Sequence, residues 1–330
     1  MQVDDAALRS FRDRRAIRDC VFAYAHAVDR HDEDRIAAVF HPDAIDDHGR
    51  YVGGVAGFVA WVNQVHATNE EGHAHNVTTH CCDVDGDTAH AESYVLWVLR
   101  HRHDQRVLFG SGRYVDRLER RGGAWRISLR RVIREMRFEC DAGPMADLAP
   151  AFPVGSWDRK DPAYLLENRI AALASNPPIE GATGQIRRAV DRQSVRDCIS
   201  RAARAADRAD KTLLAEVAYP EAADSILRDD QPSLAQTHNV TTHVASLDSD
   251  EAEAVSHVLL LTGRGDAVSI ESCRLHDRLR RDDSGWRIAS RRTSLLWKRE
   301  VPAIPLNPDD GPQISRRDSR DISYQRPLSM

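Results

Sequence analysis

The chain repeats itself. IRDCVFAYAHAVDR at 17–30 returns as VRDCISRAARAADR at 195–208, an offset of 178. HNVTTH at 75–80 returns at 238–243, an offset of 163. DRLERRGGAWRI at 116–127 returns as DRLRRDDSGWRI at 277–288 (161), and DRKDPAY at 158–164 echoes as DSRDISY at 318–324 (160). Four matches in one order with a slowly falling offset mark a duplication, because chance similarity of short charged segments does not keep order. Each copy is far longer than a solenoid repeat, so the copies are whole domains. The 330 residues agree with two domains of roughly 150 residues each. The expected division is 1–166, a linker at 167–186 and 187–330. The fall from 178 to 163 means that copy two lacks about fifteen residues between Pro220 and His238. Copy one fills that stretch with DHGRYVGGVAGFVAWVNQVH.

Within copy one the hydrophobic period changes once. Ile17, Val21, Tyr24, Ala25 and Val28 recur at helical spacing over 12–30. A second helix is expected from Glu33 to Phe40, stopping before Pro42 because the residue preceding proline resists the helical region. Gly53 and Gly54 then separate it from a third helix at 55–66. Segments 75–84, 87–100, 105–118 and 124–138 are rich in Val, Thr, Tyr and Trp. Turn signals at Asp85–Gly86 and Gly122–Gly123 divide them, so they read as antiparallel strands. Helices followed by strands give an α+β class. The expected architecture is two tandem cone-shaped α+β barrel domains, with helices packed on a curved antiparallel sheet and the second copy shortened. The echo at 318–324 predicts an arm closing each copy, packed over a neighbouring copy or subunit.

Several function classes are disfavoured. The net charge of -5 argues against nucleic acid as a partner. No run of about 18 apolar residues suggests a membrane span. The charged start MQVDDAALRSFRDRR has no apolar signal core, so a cytoplasmic protein with reduced thiols is expected. Six cysteines include no zinc-type CxxC pair. No glycine-rich nucleotide loop is present, so no cofactor is expected. The acids Asp83, Asp85 and Asp87 lack the further ligands of a calcium loop. His73 and His75 have no carboxylate at ligand spacing in the sequence, so no metal is expected there.

The order YAHAVDR, FHPDA, YVGG, HAHNVTTHCCDVDGDTAHAESYV and GRYVDRLERRGGAWRISLRR resembles the SnoaL-like branch of the nuclear transport factor 2-like superfamily. The resemblance covers about 12–138, with a degenerate version over about 190–298. It implies a cofactor-independent enzyme of the dehydratase or dehydrochlorinase kind. It also implies a His–Asp dyad at His75 and Asp29, with Tyr24 and Arg130 as further catalytic groups. Strand alternation puts His73 and His75 on one face, so periodicity alone does not separate them. The resemblance favours His75. His73 is then expected to line the pocket with Phe58, Trp61, Tyr94 and Trp97.

An imidazole near its working pKa is a good general base. An acid at the edge of a buried helix face needs a partner, and an imidazole N–H is one. Tyr24 lies five residues before Asp29, about 140° away on an ideal helix, so spacing alone does not bring them together. Arg130 suits an anionic leaving group or an enolate oxygen. Copy two keeps Asp207, His238 and Arg291 but has Ala202 for Tyr24 and His257 for Tyr94. Copy one is therefore the expected active domain, and copy two its partner in an internal pseudo-dimer. The expected reaction is loss of water or halide from a hydrophobic ring substrate such as a steroid or polyketide. An isomerase or cyclase, a small-molecule binding or accessory protein, and a small subunit beside a ring-hydroxylating oxygenase are the alternatives.

Overall fold

The structure is a computed structural model that describes residues 5–104, 106–141, 156–158, 160, 182–227, 235–305, 316, 318 and 320–329. Copy one begins with helix α1 (Asp5–Val28), whose stripe Ile17, Val21, Tyr24, Ala25 and Val28 is buried. Helix α2 (Glu33–Ala38) follows, with the Asp32 side chain accepting from the Arg35 N–H as its cap. Strands β1 (Phe40–Asp47) and β2 (Val52–Gly54) lead into α3 (Val55–Asn69). Four long strands complete the copy: β3 (Glu70–Asp85), β4 (Thr88–His101), β5 (Arg106–Arg121) and β6 (Ala124–Asp141). The sheet order is β2-β1-β6-β5-β4-β3, with β1 parallel to β6 and the other pairs antiparallel.

The three helices and four long strands lie where the hydrophobic period put them, except that the second helix ends at Ala38 and Phe40 opens a strand instead. Strand β1 was not anticipated, because Pro42 reads as a breaker. It is accommodated in a register irregularity between Phe40 and Ile45, where a missing N–H breaks no regular ladder.

Copy two has helices α4 (Ala182–Arg208), α5 (Lys211–Val217) and α6 (Pro220–Ile226). Its sheet has four strands in the order β10-β9-β8-β7: β7 (Gln236–Asp248), β8 (Glu251–Arg264), β9 (Ala267–Asp282) and β10 (Gly285–Pro302). Ala218 makes a single parallel bridge to Ile288, the position that corresponds to Phe40 against Ile127 in copy one. Among the described residues this bridge is what remains of β1, and α6 follows it where copy one continues along β1. Each sheet is open, and each copy has its own core of helix and strand residues.

The two HNVTTH motifs meet. The Thr78 hydroxyl donates to Asn239 Oδ1 at 2.8 Å, and the Val240 N–H donates to Thr79 Oγ1 at 2.9 Å. Ser111 and Thr237 hydroxyls lie 3.1 Å apart. Beside this seam is a buried ionic cluster. Arg113 of β5 pairs with Glu92 of β4 (2.7 Å), Glu135 of β6 (2.8 Å) and Asp321 of the C-terminal arm (2.8 Å). Arg204 and Arg208 of α4 reach Glu92 at 2.6 and 3.3 Å, and Arg208 reaches Glu135 at 3.1 Å. The arm that ends copy two thus packs on the sheet of copy one, where Leu328 joins Val115, Leu129 and Ile133.

Candidate active site

Asp29 follows α1, and its N–H still bonds back to the Ala25 carbonyl at 3.1 Å. A carboxylate at the negative end of a helix is unfavourable without donors. Strand β3 supplies them. The His75 backbone N–H lies 3.0 Å from both Asp29 oxygens, and His75 Nδ1 lies 2.7 Å from Oδ1. With Nδ1–H donating to Asp29, Nε2 carries the lone pair. The carboxylate thereby fixes both the tautomer and the strand that holds the ring.

His75 opens onto a cleft of about 210 Å³ bounded by α1, α3 and the face of the sheet. Tyr24, Trp61, Trp97 and Tyr114 give it an aromatic lining, with Val95, Val132 and Leu108 between them. His48, Arg50, His66, Glu70, Arg134 and Arg137 supply polar groups. Trp97 lies flat over strand β5 because positions 110 and 112 are glycines. A Cβ on Gly110 would fall 1.9 Å from the Trp97 ring. Tyr24 and Trp61 thus line the cavity although helical spacing does not aim Tyr24 at Asp29. Asp29 sits in the turn after the helix and behind His75, so the helical angle between them does not apply.

The remaining expected residues lie elsewhere. Arg130 is fully buried behind the lining, held by Asp116 through two bonds of 2.8 Å, with Tyr24 and Tyr114 rings 4.1 and 4.2 Å from its guanidinium carbon. Burial disfavours its charge, but Asp116 outweighs that and keeps it protonated. It braces the two tyrosines and does not line the cavity. Phe58 is core, stacked on His48 at 4.8 Å. Tyr94 requires a correction: it points away from the cavity, toward Asp207 and Arg208 at the seam with copy two. Alternation along β4 puts Val95 and Trp97 on the cavity face and Tyr94 on the other.

His73 stands beside His75 but faces a separate cluster. Its Nδ1 is 2.9 Å from Glu70, and its Nε2 is 3.2 Å from both the Val28 carbonyl and His66 Nδ1. Burial disfavours the charged ring, but Glu70, the Val28 carbonyl and Asp29 outweigh it and raise its pKa above the ordinary histidine value. His31 stacks over His73 at 5.3 Å and under Trp157 at 4.3 Å. Burial and the charge of His73 lower His31 to about 4. The same causes, with His75 besides, hold His66 well below the ordinary range. Asp29, Glu70 and three further imidazoles therefore surround His73, including the carboxylates that linear spacing did not reveal. A second His–Asp contact, His48 Nδ1 to the buried Asp46, sits across the cavity. His31, His48 and His66 were not anticipated, since each comes from a different element. Their only shared signal is the histidine-rich composition of 26–80.

Copy two repeats the dyad without the space. His238 Nδ1 lies 2.6 Å from Asp207, whose carboxylate also accepts from the His238 N–H at 2.8 Å. Arg291 pairs with Asp277 as Arg130 does with Asp116. The void beside His238 is only about 10 Å³, bounded by Ile226, Val258, Leu260 and Leu275. Leu260 and Leu275 stand where copy one has Trp97 and Tyr114, and Ile226 of α6 reaches in from the helical side.

A SnoaL-like domain family matches residues 9–131 and 217–292. Among solved structures, a Novosphingobium aromaticivorans protein provisionally named an aromatic ring hydroxylase is 34% identical, over 37% of this chain and 87% of that one, with a TM-score of 0.34. A second protein of that organism, provisionally named a scytalone dehydratase, is 22% identical over 42% and 94%, with a TM-score of 0.35. A hexachlorocyclohexane dehydrochlorinase of Novosphingobium barchaimii is 22% identical over 46% and 99%, with a TM-score of 0.38. No protein of curated function matches.

Proposed function

Because this chain belongs to the SnoaL-like domain family, in two tandem copies, we propose that copy one is a cofactor-independent lyase acting on a compact hydrophobic ring compound. The carrying observation is a His–Asp dyad at the wall of an aromatic-lined cavity in copy one, against the same dyad in a filled copy two. An apolar cavity of about 150 Å³ holds benzene, so about 210 Å³ has room for at least one ring.

In the proposed reaction His75 Nε2 takes a proton from a carbon next to an electron-withdrawing group. The C–H electron pair becomes the new C=C bond. The C–X bond at the β-carbon breaks, and X departs with its electrons as water after protonation, or as halide. Asp29 balances the imidazolium as it forms. Tyr24 is buried and stays protonated, because burial and Tyr114 raise its pKa more than Arg130 lowers it. It therefore serves as a hydrogen-bond donor to a carbonyl or leaving group. Arg50 and Arg134 line the cavity where developing negative charge would be met.

The test is incubation with β-hydroxy and β-halo cyclic ketones in D2O, beside His75→Ala and His238→Ala variants, followed by mass spectrometry. Elimination lost in His75→Ala and kept in His238→Ala is the expected result. Deuterium uptake without elimination would make the protein an isomerase. Absence of turnover, with ligand-dependent thermal stabilisation that survives His75→Ala, would overturn catalysis by this base.

A further inference from the structure

We propose that His31, His66 and His73 form a binding site for a divalent transition-metal ion of the zinc type. The candidate ligand nitrogens all lie within 4.8 Å of one another. His66 Nδ1 and His73 Nε2 are 3.2 Å apart. Zinc–nitrogen bonds of about 2.0–2.1 Å in a tetrahedron space neighbouring ligands about 3.3 Å apart, so this pair already stands at ligand separation. Imidazole is the commonest protein ligand for such ions.

Two further features point the same way. His31 Nε2 is buried without a hydrogen-bond partner, a costly state unless something fills it. His73 Nδ1 stands 2.9 Å from a Glu70 carboxylate oxygen, and a carboxylate behind a ligating histidine is the usual outer support of a metal site. Trp157 covers the cluster by stacking on His31. The fourth position falls to water or to Asp29, whose Oδ1 is 3.9 Å from His73 Nε2. Engaging Asp29 would draw it from His75, so metal loading and the base would compete.

The second copy is an internal control. Where the chain leaves the first helix of each copy, one residue adopts positive φ: His31 at 53° and Ala209 at 50°. The bend is the same, with Asp32 and Asp210 N–H groups bonding back to Ala27 and Ala205. The turn therefore forms without an imidazole. Copy two also has Gln236 where copy one has His73, although it keeps the Asp207–His238 dyad. A simple stacked histidine patch would explain the ring contacts but leaves His31 Nε2 unanswered.

The experiment titrates metal-stripped full-length protein with Co2+, read by visible absorption, and with Zn2+, read by calorimetry. The variants are His31→Ala and His73→Gln, which carry copy two's own residues, with Glu70→Gln and the exposed His103→Ala. Circular dichroism melts in chelator monitor folding. One ion per chain with the ligand-field bands of four-coordinate cobalt is expected. His31→Ala and His73→Gln should lose that binding, Glu70→Gln should weaken it by about 10–100-fold, and His103→Ala should leave it unchanged. No stoichiometric binding by the parent protein, or equal affinity in folded His31→Ala and His73→Gln, would overturn the site. Turnover plays no part in this readout, so failure of the lyase reading would leave it standing.

Discussion

Replacing Asp321 by alanine should loosen the whole chain, because this arm residue completes a balanced set of buried charges. Arg113, Arg204 and Arg208 face Glu92, Glu135 and Asp321. Asp321 accepts from Arg113 at 2.9 and 2.8 Å and from the Arg316 and Ser323 N–H groups at 2.8 and 3.0 Å. The variant leaves one guanidinium charge uncompensated. Breaking a buried pair in this way costs about 3–5 kcal/mol. Arg113 keeps two carboxylates, so the lower end, about 3 kcal/mol, is expected. Glu92 gives an independent scale. Burial alone would raise its pKa, but Arg113, Arg204 and Arg208 outweigh burial and bring it from 4.5 to about 2. That difference also corresponds to roughly 3 kcal/mol.

The assay is urea unfolding followed by circular dichroism and tryptophan fluorescence. At an m-value of about 3 kcal/mol/M the midpoint should fall by about 1 M. The pH dependence has a definite sign. The folded pKa of Asp321 lies below its ordinary 3.8, since Arg113 and Arg208 outweigh burial. Its stabilisation is therefore complete above about pH 3.8 and is lost as pH falls through the folded value. The gap between the parent and Asp321→Ala should narrow over that acidic window. An unchanged midpoint at neutral pH would refute the charge-balance reasoning and leave Leu328 packing as the arm's hold.

Two further outcomes follow from the site. Gly110→Ala should push Trp97 off strand β5, cost about 1–3 kcal/mol as over-packing does, and quench ring-ligand binding, read by thermal melts with and without ligand. No change in tryptophan near-ultraviolet dichroism would contradict the contact. Glu70→Gln should destabilise the protein most below the ordinary histidine pKa of 6.5, where His73 is charged in both states. Because the folded pKa of His73 is raised, the parent's advantage should shrink as pH rises through that folded value. Urea midpoints across pH measure this, and a gap that widens with pH would reverse the assignment of Glu70 as the partner.

Much of this was legible in the chain. The duplication, the buried stripe from Ile17 to Val28 and the four long strands follow from patterns of side-chain burial that each element carries by itself. Asp29, His75 and Tyr24 were accessible through family resemblance, and Trp61 and Trp97 through their apolar, aromatic character. Tyr94 was misplaced because the sheet has two buried faces. One lines the cavity and the other meets copy two, and alternation does not say which is which. Arg130 entered as a catalytic group through the resemblance alone, whereas Asp116 on the neighbouring strand draws it fully inside. The shortened second copy was visible as a falling offset. That its dyad survives in a filled pocket was not, because Leu260, Leu275 and Ile226 come together from three separate elements. The same holds for His31, His66 and His73. Each belongs to a different turn, helix or strand, and only the packing of α1 and α3 against β3 brings their rings within ligand distance of one another.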